Sequence, residues 1–179
     1  MPVRQRLYLL TLLLTSVMSS RAAMADEVKG SFHVLDQAAP VPALVFEDKP
    51  GHQVALQDFR GKIVLLNLWA TWCGPCVKEM PALDQLQAAH GSPGFEVLAL
   101  SEDSRGQDAV DVFFKKHQLT HLKIYIDASG RAPSVLHADG MPTTFLIGKD
   151  GKVIGYWQGS IDWTAPEITT TIHEKTGAF

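Results

Sequence analysis

The apolar positions of this chain change period several times. Ile63 to Trp69 is a continuous apolar run apart from Asn67, the pattern of a central strand covered on both faces. Directly after it, Cys76, Met80, Leu83 and Leu86 recur at three- and four-residue steps, which predicts one face of a helix. Pro81 falls inside that helix and is expected to kink it near its first turns, and Gly91 with Ser92-Pro93-Gly94 is expected to end it. Phe95 to Leu100 reads as a second core strand, and Val110, Phe113 and Phe114 as the apolar stripe of a helix beginning near Gln107. Lys123 to Ile126 predicts a short strand and Ala132 to His137 a short helical piece. Thr143 to Ile147 and Lys152 to Trp157 predict a hairpin around Gly148-Lys149-Asp150-Gly151. A last helix is placed near Trp163 to Lys175, with Asp162 as its cap and Pro166 in its first turn.

Ahead of the central strand, Leu44 to Glu47 and Gln53 to Leu56 flank the turn signal Asp48-Lys49-Pro50-Gly51 and predict an amino-terminal hairpin. Pro40 and Pro42 make the preceding stretch an extended entry rather than a helix. The order is strand–helix–strand–helix, a further strand–helix, then hairpin and helix. That alternation implies an α/β sandwich around a mixed sheet. At 179 residues, with 46% hydrophobic and 20% charged side chains, the chain fits one globular domain with a sizeable core. It shows no internal repeat and no low-complexity tract.

The first 25 residues do not belong to that pattern. Arg4 and Arg6 precede an apolar run of 12 residues, Leu7 to Met18, which is too short to span a hydrocarbon core of roughly 20 residues. Ala23-Met24-Ala25 then supplies the small residues of a cleavage site, so residues 1–25 read as a secretory signal; an uncleaved anchor of the same orientation is the alternative. The expected layout is 1–25 signal peptide, 26–43 extended lead-in and 44–179 folded domain. Removing the leader takes three of the 16 basic residues and none of the 19 acidic ones, leaving a formal charge of −6. A mature chain so acidic is a poor match for nucleic acid or anionic lipid.

The two cysteines of the chain both lie in Cys73-Gly74-Pro75-Cys76, where they close too short a loop to staple a fold. Redox chemistry explains that usage better than a structural role. A thiol attacks as thiolate, and Cys73 stands at the junction of a strand and a helix amino terminus. Unpaired N–H groups and the helix dipole favour negative charge there. Cys76, one turn on, is expected to be the more buried of the two. Cys73 is therefore the expected nucleophile and Cys76 the thiol that resolves the mixed disulfide. Two metal-binding readings compete. Zinc would need His117 and His121 as the other half of a site, but the 40 residues between Cys76 and His117 far exceed the spacing of a compact finger. Copper could use both thiols with a downstream histidine such as His137.

Trp69-Ala70-Thr71-Trp72-Cys73-Gly74-Pro75-Cys76 resembles the active-site segment of thioredoxins. Lys78-Glu79-Met80-Pro81 and Met141-Pro142-Thr143-Thr144-Phe145-Leu146-Ile147 narrow the resemblance to the exported TlpA/ResA-like branch, from about Leu44 to the end. The resemblance implies a thioredoxin fold, a mixed central sheet flanked by helices, here with an amino-terminal hairpin and a central strand–helix insertion. It implies that Pro142 is a cis-proline facing the dithiol, with Met141 before it, and that Trp72, Met141 and Pro142 meet the substrate. By sequence alone, Pro142 would be a trans proline at the start of a strand.

Thioredoxins proper carry a buried acid in the strand before the dithiol, where this chain has Asn67. Glu79 lies three residues after Cys76 and shares its helical face. In the TlpA/ResA-like branch the residue at this place resembles an acid/base beside the dithiol. A half-buried carboxylate with a raised pKa could accept the Cys76 proton; a solvated first-turn glutamate favoured by the helix dipole is the plainer alternative.

These residues lead to an exported, periplasmic protein-disulfide oxidoreductase that exchanges Cys73–Cys76 with client proteins and needs no organic cofactor or metal. Gly-Pro between the cysteines resembles the reducing members, of which thioredoxin itself lies near about −270 mV. The resemblance implies a reductase served by a membrane electron donor, with clients whose cysteines must be free for copper or haem. A cytochrome-c-maturation reductase of the CcmG type usually has a different segment before its proline than Met141-Pro142-Thr143-Thr144. A peroxiredoxin would place its threonine one residue further from the first cysteine than Thr71 stands, and would carry a separate resolving cysteine. Amino-terminal sequencing of exported material should start at Asp26; an intact Met1 would make the leader an anchor.

Overall fold

A computed structural model describes residues 31–179, so the expected signal peptide and the first part of the lead-in lie outside the described residues. The chain runs through β1 (Phe32–Pro40), β2 (Val45–Lys49), β3 (His52–Ala55), a 3-10 turn (Leu56–Phe59), β4 (Ile63–Trp69), α1 (Gly74–His90), β5 (Phe95–Ser101) and α2 (Gln107–His117). It continues with β6 (Tyr125–Ile126), α3 (Ala132–Val135), β7 (Thr143–Ile147), β8 (Lys152–Gln158) and α4 (Pro166–Thr176). All eight strands join one sheet in the order β1-β8-β7-β4-β5-β6-β2-β3. β4, β5 and β6 are parallel, and the other pairings are antiparallel. This is the mixed α/β thioredoxin fold that the sequence predicts, with the β2–β3 hairpin at one edge and β6–α3 as the inserted strand–helix pair.

β4 is buried along its whole length, because a neighbour flanks it on each side and a core covers each face. Its alternation sorts the interior into two clusters. Ile63, Leu65 and Trp69 point toward α1, α2 and α4, with Met80, Leu83, Val110, Phe114 and Ile172. Val64, Leu66 and Leu68 point the other way, toward Phe46, Leu98, Phe145 and the α3 segment. Each large side chain so buried contributes roughly 1.5–3 kcal/mol. Asn67 falls on the α1 face, which matters below.

Several expected boundaries move. The lead-in does more than enter in extended form: residues 32–40 form an edge strand paired with β8, Phe32 against Trp157 and Val34 against Gly155. The Phe32 and Trp157 rings lie 4.3 Å apart, so hydrophobic contact anchors a strand whose own burial is slight. The short strand covers only Tyr125–Ile126, and α3 ends at Val135 instead of His137, which takes a left-handed φ of 55°. The last helix begins at Pro166, and Asp162 is not its cap. Asp162 instead accepts the N–H and hydroxyl of Thr164 in a turn of its own, and Ala165 occupies the cap position. A proline at the first helical position needs no amide partner, so the helix starts there. α1 runs through Pro81 as one element. Among the described residues no helix is long and apolar enough to cross a membrane.

Gly155 shows how tightly β1 is seated. A Cβ there would lie 2.5 Å from the His33 carbonyl oxygen and 2.5 Å from Phe32 Cζ. Replacing a mid-strand glycine by alanine ordinarily stabilises by about 0.5–1 kcal/mol. Here Gly155→Ala is expected to destabilise by about 1–3 kcal/mol, as overpacking does. Urea unfolding measures it, and an unchanged or raised midpoint would contradict this seating of β1.

Candidate active site

β4 ends at Trp69, and the chain turns through Ala70–Trp72 into α1. The turn closes when the Cys73 N–H donates to the Ala70 carbonyl at 3.1 Å. Cys73 is the cap residue of α1, and its sulfur accepts the Cys76 N–H at 3.4 Å. Pro75 lies in the first turn, and that turn contains no acidic residue. The backbone N–H groups and the dipole thus act on the Cys73 sulfur without opposition from a local carboxylate. The two cysteines are joined as a disulfide. Cys73 keeps 7% of its surface exposed and Cys76 none, which is the asymmetry expected of an attacking and a resolving thiol. Trp72, beside Cys73, is 67% exposed, an aromatic surface at the rim of the dithiol.

β7 pairs antiparallel with β4, and Thr143 stands opposite Leu68. That register brings Met141 and Pro142 to the end of β4 from which the dithiol turn leaves. The Met141–Pro142 peptide is cis, as the family resemblance implied, and the Pro142 carbonyl accepts the Gly159 N–H at 2.9 Å. Pro142 is buried, whereas Met141 is partly exposed and packs against both cores.

Glu79 is more deeply placed than the sequence suggested. It is 3% exposed rather than half-buried, because the same helical face that carries Cys76 packs against β4 and the loop before α4. Asn67 Nδ2 donates to Glu79 Oε1 at 2.8 Å and to Thr144 Oγ1 at 2.9 Å, and the Ile161 N–H donates to Glu79 Oε2 at 3.1 Å. Loss of water pushes the Glu79 pKa up to about 7. The bonds from Ile161 and Asn67 pull in the opposite direction, and the nearby Trp163 indole adds a weaker pull without reaching hydrogen-bonding geometry. A carboxyl that titrates near neutrality, on the helical face of the resolving thiol, can take up and return a proton under working conditions.

The histidines weighed as metal ligands have other surroundings. His117 stacks on Phe113 with centroids 4.3 Å apart, and His121 Nδ1 is 2.9 Å from Asp84 Oδ2. His137 lines a cavity of about 460 Å³ with Phe145, Val153 and Tyr156, on the sheet face opposite Cys76. Among the described residues no group of three or more His, Cys, Asp or Glu is placed to hold a metal ion. Three contributors to the site carried no signal in the sequence. Ile161 acts through its backbone alone, whereas Ser101 and Asp103 sit at the end of β5 where Glu102-Asp103-Ser104 reads as an ordinary polar loop.

A dithiol at the amino terminus of a helix, a cis-proline from the adjoining strand and a buried carboxyl below define a thioredoxin-fold dithiol protein. The comparisons with known proteins agree. The chain belongs to the Redoxin family, whose model matches residues 36–172. It is similar to the thiol-disulfide oxidoreductase ResA of Geobacillus kaustophilus, with 34% identity over 86% of this chain and 87% of that protein. ResA of Bacillus thuringiensis subsp. konkukian is 42% identical over 63% of this chain, and the match spans 64% of that relative's length. Among solved structures, a Chlorobium tepidum protein provisionally assigned as the thiol:disulfide interchange protein DsbE superimposes with a TM-score of 0.64. It is 31% identical, covering 79% of this chain and 95% of that one. The chain is thus a ResA-like member of the Redoxin family.

The raised Glu79 pKa has a stability consequence whose sign is opposite to that of a salt-bridged acid. At pH below 4.5 both folded and unfolded chains hold the proton, and no penalty arises. Between 4.5 and about 7 the folded chain keeps a proton that the unfolded chain has lost, so stability falls as pH rises and levels off above the folded pKa. The whole effect is on the order of 3 kcal/mol. Glu79→Gln should abolish this slope. Asn67 Oδ1, now buried without a hydrogen-bond partner, can face the new amide if the Asn67 side chain flips. Urea unfolding from pH 4 to pH 8 tests this, and parallel curves for the two proteins would remove Glu79 as the titrating group. The same substitution should slow resolution of the mixed disulfide by about 10–100-fold, at the low end for general acid–base catalysis because thiols ionise readily.

Proposed function

We propose that this protein is an exported reductase of protein disulfides, acting on client proteins whose cysteines must be free to receive copper or haem. The observation that carries the exchange chemistry is the pairing of a helix-capping Cys73 with a buried Cys76 that has Glu79 on its own helical face. The Cys73 thiolate attacks one sulfur of the client disulfide, forming a mixed disulfide and releasing the other client sulfur as thiolate. Cys76 gives its proton to the Glu79 carboxylate and attacks Cys73 Sγ. The Cys73–client bond breaks, the second client sulfur leaves as a thiolate, Glu79 gives its proton back to solvent as the client thiolates take up protons, and Cys73–Cys76 is oxidised. A membrane electron donor then returns two electrons and restores the dithiol. Trp72, Met141 and Pro142 surround the entry and supply the surface on which an extended client segment lies.

Three features support the reducing direction and the location. Gly-Pro between the cysteines resembles the reducing members of the thioredoxin family, the leader has the pattern of a secretory signal, and the relatives carry the name thiol-disulfide oxidoreductase. The test is Cys76→Ser in the full chain. Without the resolving thiol, adducts through Cys73 should accumulate in the export compartment and disappear on reduction. A folded variant whose Cys73 alkylates normally but collects no adducts would sink the proposal. In that case, stoichiometric copper uptake by the reduced wild-type protein would favour a metal-binding module.

A further inference from the structure

The segment that presents Cys73 hangs from β5 as well as from β4. Asp103 lies just past the end of β5 and is 2% exposed. Its Oδ2 accepts the Thr71 N–H at 2.8 Å and the Ser101 hydroxyl at 2.8 Å, while Oδ1 accepts the Thr71 hydroxyl at 2.5 Å. The Asp103 N–H returns a bond to Ser101 Oγ at 3.2 Å, which holds the carboxylate from its own side. One residue earlier, the Glu102 N–H donates to the Trp69 carbonyl at 2.8 Å. The chain from Trp69 to Thr71 is therefore tied to residues 102 and 103 by three hydrogen bonds, two of them to a single carboxylate. Among the described residues, Asp103 forms no salt bridge, so donors from this turn and from Ser101 are what stabilise its buried charge.

We propose that Asp103 is a positioning residue for thiol–disulfide exchange: through Thr71 it holds the turn from Ala70 to Cys73 and so keeps the attacking sulfur at the amino terminus of α1. The role deepens the exchange reading above and rests on it. Thr71 lies between Ala70, whose carbonyl takes the Cys73 N–H, and Trp72, the exposed ring at the rim. Trp72 is 67% exposed and so anchors the turn weakly, and a buried carboxylate binding both donors of Thr71 supplies a restraint there. Releasing it lets Cys73 drift from the N–H of Cys76, and the sulfur loses the donor and the dipole that favour its thiolate.

The experiment compares Asp103→Ala, Asp103→Asn and Thr71→Val in the full chain. Asparagine retains an oxygen for the Thr71 N–H and offers an N–H to the Thr71 hydroxyl, so it preserves the clamp and removes the charge. Valine keeps the Thr71 N–H and loses only the hydroxyl. The first readout is the pH dependence of Cys73 alkylation in reduced protein, which requires no client and so stands apart from the exchange activity. Glu102 beside it, pushed up to about 8 by burial and then by Asp127, is present in every variant and cancels in the comparison. Below the Cys73 pKa, Asp103→Ala should alkylate about tenfold more slowly, with its profile displaced to higher pH. Thr71→Val should fall between Asp103→Ala and wild type, and Asp103→Asn should stay within about twofold of wild type. The second readout is exchange with one protein disulfide, where the same ranking should appear in kcat/KM. A folded Asp103→Ala with the wild-type profile would overturn the proposal, as would an Asp103→Asn as impaired as Asp103→Ala. If Asp103→Ala fails to fold, Thr71→Val decides: a wild-type alkylation profile there overturns the proposal. Normal alkylation ranking without exchange in wild type would instead overturn the functional reading and leave the clamp standing.

Discussion

The side-chain amide of Asn67 holds the site together. One nitrogen donates to Glu79 on α1 and to Thr144 on β7, so a single group in the central strand fixes the active-site helix and the cis-proline strand. Were this position apolar, Glu79 Oε1 would lose its donor and the buried carboxyl would have only the Ile161 N–H. Were it an acid, two carboxyls would meet at hydrogen-bond distance and one would have to stay protonated. An amide avoids both outcomes. It supplies donors without a second charge, and leaves one titratable carboxyl beneath the resolving thiol.

The chain treats its buried carboxylates in two ways, and the contrast separates scaffold from chemistry. Glu96, on the central β5, accepts Lys62 Nζ at 2.8 Å, Lys123 Nζ at 3.1 Å and the Tyr125 hydroxyl at 2.6 Å. Burial favours its neutral form, but those donors outweigh it and hold the group below the ordinary carboxylate range. It stays charged and ties β5 to β6 and to the segments that lead into β4 and β6. Glu79 receives only uncharged donors, and desolvation prevails. Between these two glutamates, the lysines on Glu96 and their absence at Glu79 separate a fixed anion from a proton carrier.

The local patterns were legible in the residues. The apolar run, interrupted by Asn67 alone, gave β4 its limits, Ile63 to Trp69, because a strand covered on both faces shows no regular polar alternation. The helical spacing of Cys76, Met80, Leu83 and Leu86 marked a face that is buried at every one of these positions. The edge strand β1 was not legible as a paired element. Its residues are mostly exposed, and it is seated by Phe32 on Trp157 and by the room that Gly155 leaves, contacts between segments more than 100 residues apart.

The dithiol itself followed from the sequence alone, since two cysteines one helical turn apart after a core strand have few other uses. The order of their burial and the shared face of Cys76 and Glu79 also followed, because helix geometry is local. Tertiary structure alone decided how far Glu79 is buried, which donors reach it, and that Asp103 binds Thr71 from 32 residues away. A pKa and a clamp both depend on what packs from other elements, and periodicity describes only the face an element presents.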